Sequence, residues 1–172
     1  MEKAFDRQRN ENRLCIKNRG ANMKAVIQRV SGATLRVDNN VISQIDKGLV
    51  IYFCVEKGDD TAWCKPFAAK MSKLRIFSDE NGKMNLSVKD VGGQILFVSQ
   101  FTLGADLTGG NRPSFFGAEE PVLADKIYRD TAELIRAEGV DVKLGVFGAD
   151  MQIEQHNDGP VTIIWDHTML KR

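Results

Sequence analysis

The chain is poor in histidine, carries an odd number of cysteines and has no excess of charge of either sign. Each scarcity closes off a class of function. His156 and His167 are the only histidines, and roughly 35 Å of extended chain would part them. One metal ion cannot hold both unless the strand between them breaks, so no metal site is expected. Cys15, Cys54 and Cys64 form no C-x-x-C pair, which argues against a disulfide framework or a zinc site and for plain thiols in a reducing compartment. Lys and Arg number 24 against 23 Asp and Glu, so the whole molecule does not attract polyanions. Nucleic-acid binding must then be local, through a patch or a shaped pocket. No apolar run reaches the roughly 18–20 residues of a membrane helix. A cytoplasmic protein is expected.

Catalytic signatures are scarce too. The G-x-S-x-G elbow of serine hydrolases is missing, and neither Gly92-Gly93 nor Gly109-Gly110 precedes a helix with the Lys-Ser/Thr of a phosphate loop. No cofactor is implied. Ser99 and Thr102, in VSQFTLG, stand at the end of a buried strand, where sheet proteins display reactive groups. A hydroxyl nucleophile needs a base within reach, and no spacing places either histidine there. They read as nucleophile candidates or as polar strand-end residues. Lys65, Lys70, Lys73 and Arg75 along the first predicted helix read as a solvated face.

Residues 1–22 are charged, rich in Asn and Arg, and lack the apolar core of a secretory signal, while Glu2, Asp6 and Glu11 argue against a transit peptide. They read as a flexible extension or an upstream start, with residues 23–172 as one domain. From Met23 short β-branched runs follow: 24–30, 33–38 and, after a turn at Asn39-Asn40, 41–45. The continuously apolar 48–56 predicts a central strand. Trp63, Phe67, Met71 and Leu74 recur at helical spacing after a cap at Asp59 or Asp60, with Pro66 either kinking that helix or delaying its start. A hairpin is expected at Asn81-Gly82, a buried strand at 94–101 and a long loop at 104–118. A second helix runs from about Pro121 to Glu138, its stripe Leu123, Ile127, Leu134 and Ile135, its cap Gly139. Three strands close the chain: 140–147, 149–156 and 160–167. The sum is an α/β protein with a mixed, largely antiparallel sheet, helices on one side and more sheet on the other.

Gly159-Pro160 stands directly before the last predicted strand, although Asn157 and Asp158 already supply turn chemistry. A glycine there lets other groups approach the backbone closely. Two exposed carbonyls at such a point would make a hook able to take an ammonium group.

Two motifs taken together carry a resemblance. SQFTL (99–103) and NDGPVT (157–162) match the paired signatures of D-aminoacyl-tRNA deacylases. MKAVIQRV, RIFSDENGKMN, GNRPSF and FGADM follow in family order, so that the likeness covers residues 23–168. It implies a three-layer α/β/β fold, a homodimer, and hydrolysis of the ester joining a D-amino acid, or glycine, to the 3′ CCA end of tRNA. Metal and cofactor are not implied. In such enzymes the Gly-Pro peptide is cis and enters the partner subunit's site, where its carbonyls hold the α-amino group and its closeness excludes an L side chain. The matching residues are Gly159 and Pro160. Arg29 resembles the arginine that orients that motif, and Met151 a pocket-lining methionine. Ser99, Gln100, Phe101 and Thr102 would surround the ester, with backbone N–H groups near Phe101 and Thr102 receiving the carbonyl oxygen. The 2′-hydroxyl of the substrate would help to activate water, which makes Thr102 a pocket residue. Phe101, Phe115 and Phe116 would flank the terminal base or pack in the core. Two departures stand out: the 22-residue extension and Pro66. Two rivals remain at this stage, a non-catalytic nucleic-acid-binding module on the same fold and an esterase with a Ser99 or Thr102 nucleophile.

Overall fold

The computed structural model describes residues 23–166 and residue 169. The expected extension 1–22, with Cys15, and His167 lie outside the described residues. The described elements are β1 (Lys24–Val37), β2 (Asn40–Ile45), β3 (Gly48–Cys54), α1 (Cys64–Lys73), β4 (Phe77–Ser78), β5 (Met84–Leu86), β6 (Gln94–Ser99), α2 (Pro121–Ala137), β7 (Asp141–Leu144) and β8 (Gln152–Asp166). One sheet runs β2-β1-β3-β6-β7, with β8 paired to β1, and β4-β5 form a separate hairpin. Strands β3, β6 and β7 are mutually parallel and all other pairs are antiparallel. The mixed α/β class expected from the sequence is the class observed. No described helix is long and apolar enough to cross a membrane.

The period-two pattern of the central strands builds two cores, one on each face. Leu49, Ile51 and Phe53 of β3, with Ile95 and Phe97 of β6, point toward α1 and α2 and meet Phe67, Met71, Ile127, Tyr128 and Ile135. The ring of Phe67 lies 5.1 Å from Phe53 and 4.7 Å from Trp165. The alternate residues Val50, Leu96 and Val98 face Val30, Ala33, Leu35 and Ile45, with Met151 and Ile153 packed against them.

Several boundaries differ from the sequence reading. Segments 24–30 and 33–38 are one strand, β1, which bends at irregularities in its pairing with β8 between Gln28 and Gly32. Segments 149–156 and 160–167 likewise merge into β8, so Gly159-Pro160 lies within a strand and not before one. The β1–β2 turn uses Asp38 and Asn39, both at positive φ, one residue earlier than expected. Strand β6 stops at Ser99, and Phe101–Gly104 forms a 3-10 turn instead of more strand. Helix α1 starts late: Asp60 caps a 3-10 turn by accepting the Ala62 N–H at 2.8 Å, which leaves Pro66 in the first α turn, where no N–H is missed. In α2, Leu123 is exposed and Tyr128 takes the buried place.

The bend after β3 holds a half-buried carboxylate. Asp59 Oδ2 accepts the Glu56 N–H at 2.6 Å, while its buried Oδ1 has no partner among the described residues. Burial pushes the Asp59 carboxyl up to about 6; backbone N–H groups oppose the shift and Glu56 and Glu119 add to it. A carboxyl raised on folding costs stability when ionised, so the cost is present above about pH 6 and vanishes as pH falls toward the ordinary carboxylate value. Asp59→Asn is therefore expected to raise Tm relative to wild type more at pH 7.5 than at pH 5. An equal difference at both pH values in thermal melts refutes this.

Candidate active site

The SQFTL segment is set by the parallel pairing of β3 and β6. Phe53 pairs with Ser99, and the Gln100 N–H donates to the Phe53 carbonyl at 2.8 Å before the chain leaves the sheet. The Leu103 N–H then donates to the Gln100 carbonyl at 3.2 Å and closes the 3-10 turn. The first N–H groups of such a turn, at Phe101 and Thr102, have no partner inside it. Gln100 Nε2 donates to Thr102 Oγ1, tying the two side chains together. Beneath the turn Gly104 is buried, and a Cβ there would stand 2.9 Å from Glu56 Oε1, which Lys24 Nζ contacts at 2.8 Å. An added Cβ would have to displace the Glu56 carboxylate from that ion pair.

A cavity of about 1120 Å³ opens beside the turn. Ser99, Gln100 and Phe101 line one wall, with Tyr128 and Phe147 behind and Met151 and Ile153 across. The place follows from topology, since ligands of α/β sheets bind at the carboxyl ends of parallel strands. Phe101 stays 55% exposed with its ring edge-on to Phe115 at 5.1 Å, so it is a wall of the cavity and not core. Thr102 lies next to this wall but outside the lining residues.

The lining carries hydroxyls at Ser99, Ser114 and Tyr128 and carboxylates at Glu119, Glu120 and Asp150, the carboxylates lying on the α2 entry and the 147–151 turn and not on the SQFTL segment. The lining residues include no histidine, and His156 is exposed on β8. Tyr128 Oη donates to the Phe97 carbonyl at 2.7 Å and accepts the Gly145 N–H at 3.2 Å, and burial pushes its pKa up. Cys54 Sγ, below the turn, donates to the Phe101 carbonyl at 3.5 Å; burial, with Glu56 second, pushes it up to about 12, so it stays a thiol. No group of three or more His, Cys, Asp or Glu among the described residues could hold a metal ion.

The other motif sits elsewhere. In the β1–β8 ladder Gln28 pairs with Thr162 and Val30 with Asn157, so residues 158–161 stand opposite Arg29 alone and swing out of the sheet. Arg29, 8% exposed, braces the excursion: Nε donates to the Asp158 carbonyl at 3.0 Å and lies 3.1 Å from Asp158 Oδ2, while Nη1 donates to the Ile76 carbonyl at 2.6 Å. Asp158, Gly159 and Pro160 are exposed, and the Gly159-Pro160 peptide is cis. Gly159 has φ +132°, and a Cβ there would stand 2.9 Å from both Val161 Cγ2 and Val161 N and 3.1 Å from Arg29 Nη2.

The sequence candidates thus fall into two groups. Ser99, Gln100, Phe101 and Met151 meet at the cavity, with Thr102 beside them; Arg29, Gly159 and Pro160 meet at the excursion and do not line it. Sequence reasoning missed Tyr128, Phe147 and Ile153. Tyr128 is one residue from the expected Ile127 of the α2 stripe, and a wider stripe would have found it.

A family model described as D-Tyr-tRNA(Tyr) deacylase matches residues 26–166. A D-aminoacyl-tRNA deacylase from Ruegeria pomeroyi is 51% identical over 144 residues, 84% of this chain and 99% of that protein. One from Lacticaseibacillus casei is 49% identical over 144 residues, covering 84% and 97%. The solved structure of a c-Myc DNA Unwinding Element Binding Protein is 38% identical with a TM-score of 0.77, covering 83% of this chain and 97% of its own. A probable eukaryotic D-amino acid tRNA deacylase shares the fold at a TM-score of 0.74 and 16% identity, over 84% and 99% of the two chains. With the family model spanning both motifs and relatives matched along nearly their whole length, the chain belongs to the D-Tyr-tRNA(Tyr) deacylase family and is a hydrolase of D-aminoacyl-tRNA.

Proposed function

We propose that two copies of the chain form the working enzyme, each placing its Gly159-Pro160 carbonyls at the mouth of the other's cavity. One observation carries this reading: an exposed excursion, braced by a buried arginine, has no place at the cavity of its own chain. The two carbonyls accept hydrogen bonds from the α-ammonium of the substrate. With the ammonium so held and the backbone close to the α-carbon, hydrogen or a D substituent fits and an L side chain collides. Glycine, which has no side chain, passes the same test, so glycyl-tRNA is a substrate.

The ester then lies along Ser99–Thr102. Water attacks its carbonyl carbon, the developing oxyanion is held by the N–H groups of Phe101 and Thr102, and Gln100 keeps the turn in place through Thr102 Oγ1. The C–O3′ bond breaks and the ribose oxygen takes the proton, giving a free D-amino acid and tRNA. The neighbouring 2′-hydroxyl assists the attacking water, which matches a cavity whose lining holds no histidine and whose SQFTL wall carries no carboxylate. The substrate is made where translation runs, so the cytoplasm is the working compartment.

The purified protein is expected to deacylate D-tyrosyl-tRNA at least about a hundred-fold faster than L-tyrosyl-tRNA. Ser99→Ala and Thr102→Ala each remove an uncharged hydrogen-bonding group worth about 1 kcal/mol and should cost less than about ten-fold. Complete loss of turnover, with an acyl adduct on the wild type by mass spectrometry, favours a hydroxyl nucleophile. Equal rates on both enantiomers overturn the role of Gly159-Pro160. Release of neither, with nucleic-acid binding retained, favours the non-catalytic module, in line with the DNA-binding name that the 38% identical neighbour carries.

A further inference from the structure

The long loop carries two residues that the deacylation chemistry does not use. Paired backbone hydrogen bonds between Asp106 and Ser114, of 2.8 and 2.9 Å, close its neck and make 107–113 a projecting tip. Arg112 stands on that tip, lines the cavity, and makes no hydrogen bond or ion pair with any described residue. Phe116 follows two residues beyond the neck. It too lines the cavity, yet it is 88% exposed, which puts it at the mouth. Its neighbour Phe115 turns the other way in function, with its ring spent on Phe101. The cavity lining thus holds a bare aromatic face and a cation, both open to a ligand at the mouth.

The cavity also exceeds the roughly 300–1,000 Å³ that one drug-sized ligand fills. The other charged lining residues do not compete for the same ligand. Lys57 lies 3.8 Å from Glu120, Glu119 Oε1 accepts the Glu120 N–H at 2.8 Å, and these acids with Asp150 sit on the α2 entry and the 147–151 turn, not on the loop tip.

From these observations, and resting on the deacylase reading, we infer that Phe116 and Arg112 form a subsite for the penultimate nucleotide of the RNA 3′ end, its base stacked on Phe116 and its phosphodiester paired with Arg112. A stacking ring with a nearby cation is the means by which proteins hold single strands without reading sequence. The arrangement also reconciles a chain of near-zero net charge with an RNA substrate, since one local cation suffices. Selection for tRNA over a bare aminoacyl ester is then made at the mouth, apart from the site of bond breaking.

The test compares two esters, D-tyrosyl-tRNA and D-tyrosyl-adenosine, the second lacking any phosphodiester or penultimate base. In Arg112→Gln and in Phe116→Ser the ratio of kcat/KM for the tRNA ester to that for the adenosine ester is expected to fall about ten-fold. For Arg112→Gln the slope of log kcat/KM against log salt on the tRNA ester should flatten by about 0.7, the value for one single-strand phosphate, and Arg112→Lys should restore it. A ratio equal to that of wild type, whether both rates fall together or neither falls, overturns the subsite while leaving the deacylase reading intact. A parallel fall accompanied by dissociation of Phe116→Ser in sedimentation analysis assigns Phe116 to contact between copies and overturns it too. A wild type that cleaves neither ester removes the deacylase reading and the subsite with it.

Discussion

Gly159→Ala is expected to lower kcat/KM on D-tyrosyl-tRNA by about a hundred-fold or more, the cost of misplacing a positioning group by about 1 Å. The reason is local. At φ +132° an L side chain is strained, a penalty of about 1–3 kcal/mol. Its Cβ would also press to 2.9 Å on the Val161 side chain and amide, and to 3.1 Å on Arg29 Nη2. Residues 158–160 are exposed, so the chain can relieve the clash by moving them outward from the buried Val161 instead of unfolding. Relief of that kind disturbs Arg29 and re-aims both carbonyls. Activity should therefore fall far more than Tm, and residual activity should discriminate D from L less well. Kinetics on both tyrosyl-tRNA enantiomers, with a melting curve, check this. Wild-type kcat/KM and an intact D/L ratio would sink the account of the Gly159-Pro160 carbonyls.

Gly48→Ala tests the frame that carries the other motif, and its effect should appear in stability. A Cβ at Gly48 would lie 1.9 Å from the Gln94 carbonyl oxygen and within 2.9 Å of the Gln94 C and N. These are backbone atoms of β6, in register with Gly48 in the parallel pair, and they cannot rotate away. Strands β3 and β6 must separate at their start. Forced overpacking typically costs about 1–3 kcal/mol and occasionally more; a clash this short belongs at about 3 or above. That corresponds to a fall in Tm of roughly 6–12 °C at 2–4 °C per kcal/mol. Gly92→Ala is the control: its φ of +63° disfavours alanine, yet no atom lies within 4 Å of the added carbon. Its cost should stay near about 1–2 kcal/mol. Equal melting temperatures for the two variants would show that close strand approach at Gly48 is not what matters. The stability loss has a functional consequence, because the same two strands deliver Phe53 and Ser99 to the cavity.

Much of the fold follows from local pattern. The apolar run at 48–56 became a central strand because both its faces meet apolar layers, and the two helical stripes landed within a few residues of α1 and α2. Caps and turns at Asp60, Asn81-Gly82 and Gly139 obey rules that need no distant partner. Leu123 missed the core for a reason the helical period cannot contain. The first turn of α2 overhangs the cavity mouth, where Pro121 and Ala124 are lining residues and Val122 is exposed, so burial begins a turn later.

The class of fold, the family and the two motifs can be read directly along the chain, because each depends on residue type and order within short stretches. How those stretches act is a matter of tertiary structure. Breaks at Gly32 and at Gly159-Pro160 looked like strand ends, yet β1 and β8 run on through them because each supplies the other's ladder across more than a hundred residues of chain. Arg29 reaches Asp158 and Ile76 only once that ladder forms. The cavity draws its walls from β3, β6, the long loop, α2 and the entry to β8, and its lining excludes the Gly159-Pro160 excursion of its own chain. Local propensity names the parts. Which parts face one another depends on backbone pairing and close packing between segments far apart in sequence, and no single stretch encodes that.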